Sequence, residues 1–195
     1  MSLMFSDSRD HALTAMVIKE AHQASAQGGG FVGRTAVQKI MYFLKALDVP
    51  MKYKFRLHHY GPYSDDLRDD VDCLIADEVI RDESTNRDKF SKFVPSEQSE
   101  IPVGSYQSDF VKYKSVIQAV SQALAKLSPE QLEVLMTLDY LYRVERAKDP
   151  QSNIRERVLD RFMELKGDLK RKTMTYKREI IENWYDMMID LKLFV

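Results

Sequence analysis

Six aspartates fall between positions 65 and 77: Asp65, Asp66, Asp69, Asp70, Asp72 and Asp77, relieved only by Arg68. On a helix, i and i+4 share a face, so Asp65 with Asp69, or Asp66 with Asp70, have the spacing to hold a divalent cation. The plainer expectation is a solvated face or a protein-binding surface, since Asp65 and Asp66 also answer the dipole of the helix start. No metal site is expected. His58 and His59 are adjacent on an extended run and point apart, while His11 and His22 are eleven residues apart on one helix. Cys73 sits among carboxylates, which raise a thiol's pKa instead of activating it. Gly28-Gly29-Gly30 invites a phosphate-loop interpretation, but Gly33-Arg34-Thr35 has Arg where such a loop needs Lys, and a polar helix precedes the glycines where a strand should. The glycines are expected to be a helix stop. With no nucleophile elbow and no His-Glu-x-x-His pair, no enzyme and no cofactor are expected.

Charge is unevenly placed. Residues 1–60 hold eight basic groups against four acidic, residues 61–110 five against thirteen, and residues 111–195 sixteen against thirteen. An acidic middle in a chain of net charge −1 does not suit a general nucleic-acid binder. If DNA were bound, the contacts would have to come from Arg34, Lys39 and Lys45 on one helix with Arg87, Lys89 and Lys92 on a hairpin. No apolar run has the length of a membrane span, and the start of the chain lacks a basic-then-apolar leader pattern. One cysteine forms no internal disulfide, so a cytoplasmic location is expected.

These residues need a scaffold. Leu13, Met16, Val17 and Ala21 at helical spacing predict a first helix over about 7–23, capped by Asp7 or Ser8. Thr35 and Gln38 form a capping box for a second, running to about Leu47. Lys52 to His59 alternates polar and apolar, predicting a strand broken by Gly61-Pro62. Ser64 then caps the acidic helix, whose inner side is Leu67, Val71, Leu74 and Ile75. Residues 78–81 and 90–94 read as a hairpin, and Pro95 to Tyr106 as a polar connector. Beyond it four helices are expected, around 110–126, from Pro129, from Asn153 and through Tyr176–Leu191, joined by links short enough for antiparallel packing. The class is α+β, mainly helical: a winged-helix-like part over 4–97 and a C-terminal helical region over 98–195.

Two motifs carry a resemblance. Val37-Gln38-Lys39-Ile40-Met41-Tyr42-Phe43-Leu44 resembles an "LQKLxYFL" helix, with Val37 where Leu is usual, and His59-Tyr60-Gly61-Pro62-Tyr63-Ser64-x-x-Leu67 a "YGPYSxxL" corner. Both are found in the YwgA-like bacterial proteins and, more distantly, the SocA-like (Panacea) antitoxin domains. Phe162-Met163-Glu164-Leu165-Lys166 and the closing helix to Trp184 are also similar to the C-terminal part of the YwgA-like group. The resemblance implies a winged-helix-like protein without catalytic residues that binds a protein, antitoxin-like or adaptor-like. The expected partner surface is Asp65, Asp66, Asp69, Asp70 and Asp72. Its partner would be a basic toxin, or the basic segment Lys170-Arg171-Lys172 of another subunit. Weak DNA binding by a winged-helix regulator is the alternative.

Overall fold

A computed structural model describes residues 3–27, 32–88, 90–151, 153–166, 176–190 and 194. The expected basic segment Lys170-Arg171-Lys172, the triple glycine and Lys89 lie outside the described residues. The class is as expected, mainly helical α+β with two small antiparallel sheets of two strands each. The chain falls into two compact units, residues 1–55 with 64–128 and residues 56–63 with 129–195.

The first unit is built around α1 (Arg9–Gln27), which begins where Ser8 Oγ accepts the His11 N–H. Its expected single apolar stripe is too modest: Ala12, Leu13, Ala15, Val17, Ile18 and Ala21 are all fully buried. Alanines at 12, 15 and 21 let neighbours approach closely, so the helix is enclosed around most of its circumference. Around it pack α2 (Arg34–Ala46), α3 (Asp65–Ala76), α4 (Glu100–Ser105), α6 (Lys114–Leu124) and the β3–β4 hairpin (Ile80–Asp82, Phe93–Pro95). A short α5 (Gln107–Phe110) leads into α6.

Several expectations change here. Thr35 is not the cap of α2; Gly33 is, and it makes no side-chain hydrogen bond to the helix. Phe93 N donates to Val32 O at 2.7 Å, drawing the hairpin over the start of α2. A Cβ on Gly33 would lie 2.6 Å from the Ser91 carbonyl oxygen, so no side chain fits there. Residues 95–106 are not a linker either. Pro102 is buried, Val103 and Tyr106 pack on the core, and Lys19 pairs with Glu100. Phe110 and Ile117 then enter the same core, each 1% exposed, which moves the boundary from 97/98 to 128/129. A fully buried Phe or Ile contributes about 1.5–3 kcal/mol, enough to hold α6 with the first unit.

The second unit comprises β1 (Arg56–His58), β2 (Gly61–Tyr63), α7 (Pro129–Lys148), α8 (Ile154–Lys166) and α9 (Arg178–Asp190). The last three helices each pack on the other two. Asn153 Oδ1 accepts the Glu156 N–H at 3.4 Å, the expected cap of α8. The strand expected over 52–59 pairs only at 56–58; residues 51–55 belong to no strand or helix. Gly61-Pro62, expected as a break, is instead the return strand, with Leu57 opposite Pro62. A two-stranded sheet leaves one side of each strand free of ladder bonds, so the missing N–H of Pro62 is tolerated. Gly61 has φ 84°, the left-handed conformation that follows a tight turn in a short hairpin.

Candidate protein-binding surface

The chain re-enters the first unit at Ser64, and α2 fixes that point. Gln38, buried on α2, donates from Nε2 to Ser64 O at 2.8 Å and accepts from Ser64 N at Oε1, 2.9 Å away. Ser64 Oγ accepts the Leu67 N–H and caps α3 as expected. Leu67, Val71 and Leu74 then bury the inner side of α3.

The six aspartates separate into three groups. Asp65, Asp66, Asp69 and Asp72 share the outward side of α3. Arg68 contacts Asp65 at 3.4 Å and Asp69 at 2.8 Å, while Arg34 reaches across from α2 to Asp72 at 2.7 Å. All of these groups are substantially exposed, so each pair contributes about 0–1 kcal/mol and leaves the face negative.

Asp70 does not belong to that face, and this corrects the expected partner surface. It is buried, with Tyr53 Oη donating to Oδ2 at 2.9 Å, Lys52 Nζ 3.0 Å from Oδ2 and His11 Nε2 3.2 Å from Oδ1. The His11 contact is off line for a hydrogen bond, and His11 Nδ1 has no partner among the described residues. Tyr53 is further held by Thr14 Oγ1 at 2.9 Å and Asp10 O at 3.1 Å. Burial raises the Asp70 carboxyl's pKa, but the neighbouring His11, Lys52 and Tyr53 together outweigh it and leave it below the usual carboxylate value. Burial pushes the Tyr53 phenol well above its ordinary pKa, with the Asp70 charge adding to it and Thr14 opposing it.

Asp77 plays a third part. Oδ2 accepts from Phe5 N and Ser6 N, each at 2.8 Å, from Ser6 Oγ at 2.6 Å and from Met4 N at 3.1 Å. These donors bring its pKa below the usual value against the opposing effect of burial. The segment is thereby fixed at the end of α3 with Met4 79% and Phe5 55% exposed. Cys73 has its thiol pushed up by burial and then by Asp70, Asp77, Asp69 and Asp72, the direction expected of an inert cysteine.

The basic set proposed for DNA is only partly available at the surface among the described residues. Lys39, expected outside the apolar stripe, is 2% exposed. Lys45 Nζ is taken up by the carbonyls of Tyr53 and Met51. Lys92 pairs with Asp88 at 2.7 Å, where that ammonium and the Thr85 N–H hold Asp88 down at about 2. Arg34 is exposed but paired with Asp72, and Arg87 is exposed at the hairpin tip. The reason Lys39 is inside was readable: Ile40 to Leu44 is an unbroken apolar run, which marks a helix buried on nearly every side. Asp70 likewise stands three residues after Leu67 and four before Leu74, on the buried stripe. The clamp at Asp77 has no comparable signal, because its donors are backbone groups more than seventy residues away.

Among the described residues no helix is long and apolar enough to cross a membrane, and no group of His, Cys, Asp and Glu could hold a metal ion. No protein-family model matches the chain, and no curated protein is significantly similar to it.

Proposed function

We propose that this chain is a non-catalytic protein-binding module of the antitoxin-like or adaptor-like kind that its two motifs imply, with a winged-helix-like first unit. The binding surface is the outward side of α3 (Asp65, Asp66, Asp69, Asp72) together with Met4 and Phe5. The observation that carries this reading is the Asp77 clamp. One carboxylate takes three consecutive backbone N–H groups and thereby holds two large apolar side chains in solvent beside an acidic helix. An apolar anchor whose backbone is already ordered loses little entropy on binding, and a charged surround steers a partner of opposite sign. The partner is a basic protein with an apolar pocket; a toxin fits that description.

The test is affinity capture from the native host with the parent chain, with Phe5→Ser, and with Asp65, Asp66 and Asp69 all changed to Asn. A partner held by the parent and released by both variants supports the surface. Truncating a central aromatic anchor typically costs about 2 kcal/mol or more, roughly thirty-fold in affinity. Retention by both variants would move the surface elsewhere. Tight, salt-resistant binding of one DNA duplex would favour the regulator instead.

A further inference from the structure

We propose that Met4 is an oxidation site, at which hydrogen peroxide switches off the apolar anchor formed by Met4 and Phe5. A thioether is oxidised where its sulfur is open to solvent, because the oxidant must reach it and water must solvate the polar product. The methionines of this chain differ widely in that respect. Met4 is 79% exposed and Met187 36%, while Met16, Met51 and Met163 are half-buried. Met41, Met136 and Met188 are 2% exposed or less. Among the described methionines Met4 is thus the most open to attack. The one thiol of the chain competes poorly. Peroxide reacts with a thiolate, and Cys73 is half-buried, with burial and the charges of Asp70, Asp77, Asp69 and Asp72 favouring its protonated form.

The step is a two-electron transfer that needs no further reactant. The Sδ lone pair attacks one peroxide oxygen, and an S–O bond forms as the O–O bond breaks. The displaced hydroxide takes the proton from the transferred oxygen and leaves as water. Sulfur is oxidised and the peroxide reduced. Because hydrogen peroxide is uncharged, the acidic side of α3 does not repel it. The Asp77 clamp survives the change. Everything that Asp77 accepts from residues 4–6 is a backbone N–H or the Ser6 hydroxyl, and a sulfoxide leaves those donors in place. The backbone of Met4 therefore stays fixed while its side chain turns from apolar to polar, which disrupts a methionine contact without unfolding the chain. Sulfoxide reductases reverse the reaction, so the change is a switch and not a lesion. Its effect on partner binding rests on Met4 and Phe5 being the anchor proposed above, whereas its selectivity for Met4 does not.

The experiment treats the full chain with graded hydrogen peroxide and follows each methionine and Cys73 by peptide mass mapping. Met4 should be half-converted at roughly half the dose that Met187 needs, following their exposures. Retention on a phenyl-bearing matrix in high salt reads exposed apolar side chains, and it should shorten as Met4 converts. A methionine sulfoxide reductase should restore it. Met4→Gln should elute early without peroxide, and Met4→Leu should elute late with or without it. The melting temperature of the chain oxidised at Met4 should match that of the untreated chain. Conversion of Met187 or Cys73 ahead of Met4 overturns the proposal. Unchanged retention of the chain oxidised at Met4 does so too, as does a loss of retention in peroxide-treated Met4→Leu equal to the parent's. None of these readouts needs the partner, so failure of the oxidation switch and failure of the anchor in affinity capture are told apart.

Discussion

The amide of Gln38 closes on the backbone of Ser64 from both sides, donating to its carbonyl and accepting from its N–H, 26 residues along the chain. This pairing physically joins the two motifs on which the resemblance rests: one is the helix that supplies the amide, the other the corner that receives it. Gln38→Ala should cost about 2–3 kcal/mol, because the buried Ser64 N–H loses its acceptor. Gln38→Glu should be no better, since a carboxylate would then face the Ser64 carbonyl. Urea denaturation checks both, with the expected change in midpoint and an unchanged slope.

Asp70 should govern the acid limb of stability. Its folded pKa lies below the ordinary 3.8, so the stabilisation is fully present above that value and is lost as pH falls through the folded pKa. Asp70→Asn should destabilise the protein by about 1–3 kcal/mol at neutral pH, because Tyr53 and Lys52 lose a charged acceptor. Its melting temperature should fall less steeply than the parent's below the carboxylate range. A parallel pH dependence in parent and variant would refute this role.

Asp77→Asn should leave global stability within about 1 kcal/mol, since the clamp lies at the surface, and should release residues 4–6. Amide hydrogen exchange separates the two effects: protection at Phe5 and Ser6 should drop while that of α1 and α2 stays. The depressed pKa of Asp77 carries the same sign as that of Asp70, so the parent should lose this protection as pH falls through its folded pKa.

In the corner motif, Gly61 and not Tyr60 should be the sensitive position. Tyr60 is 53% exposed at the hairpin tip, so Tyr60→Ala should change stability by less than about 0.5 kcal/mol. Gly61→Ala should cost about 1–2 kcal/mol because φ is 84° there. Thermal melts of the two variants decide the order.

Lys166 is 1% exposed and pairs with Glu133 at 2.9 Å, while its ammonium also reaches the His59 carbonyl and Tyr176 Oη donates to the same Glu133 oxygen at 3.1 Å. Lys166→Met should cost about 3–5 kcal/mol by stranding a buried carboxylate. Adding Glu133→Leu should recover much of it. A double variant no better than the single would place the cost in packing instead of charge.

The legible parts were those set by local chemistry: the Ser64 and Asn153 caps, the onset of α7 at Pro129, and the inner stripe of α3. What failed depended on distant chain. Lys52 to His59 has a strand's alternation, yet only three residues find a partner, because a ladder needs a second strand and Gly61 to Tyr63 supplies just three. Pro95 to Tyr106 has a linker's composition but is held by Lys19 and the core, neither of which is encoded nearby. For the candidate surface, the side on which each aspartate falls was set by helical phase, and Asp70 was misplaced by counting charge ahead of phase. Met4 and Phe5 were invisible because their positions depend on a carboxylate far along the chain.

The membership of residues 56–63 in the second unit has a consequence for synthesis. The hairpin leaves the ribosome long before Lys166, whose ammonium secures the His59 carbonyl. At about 5–20 residues per second the delay is roughly 5–20 s. During that interval α1, α2 and α3 can assemble around a loop whose own helices do not yet exist. A stall or cleavage between residues 128 and 166 would therefore yield a first unit with an unsatisfied eight-residue bulge, and a quality-control protease would meet Gly61 and Pro62 uncovered.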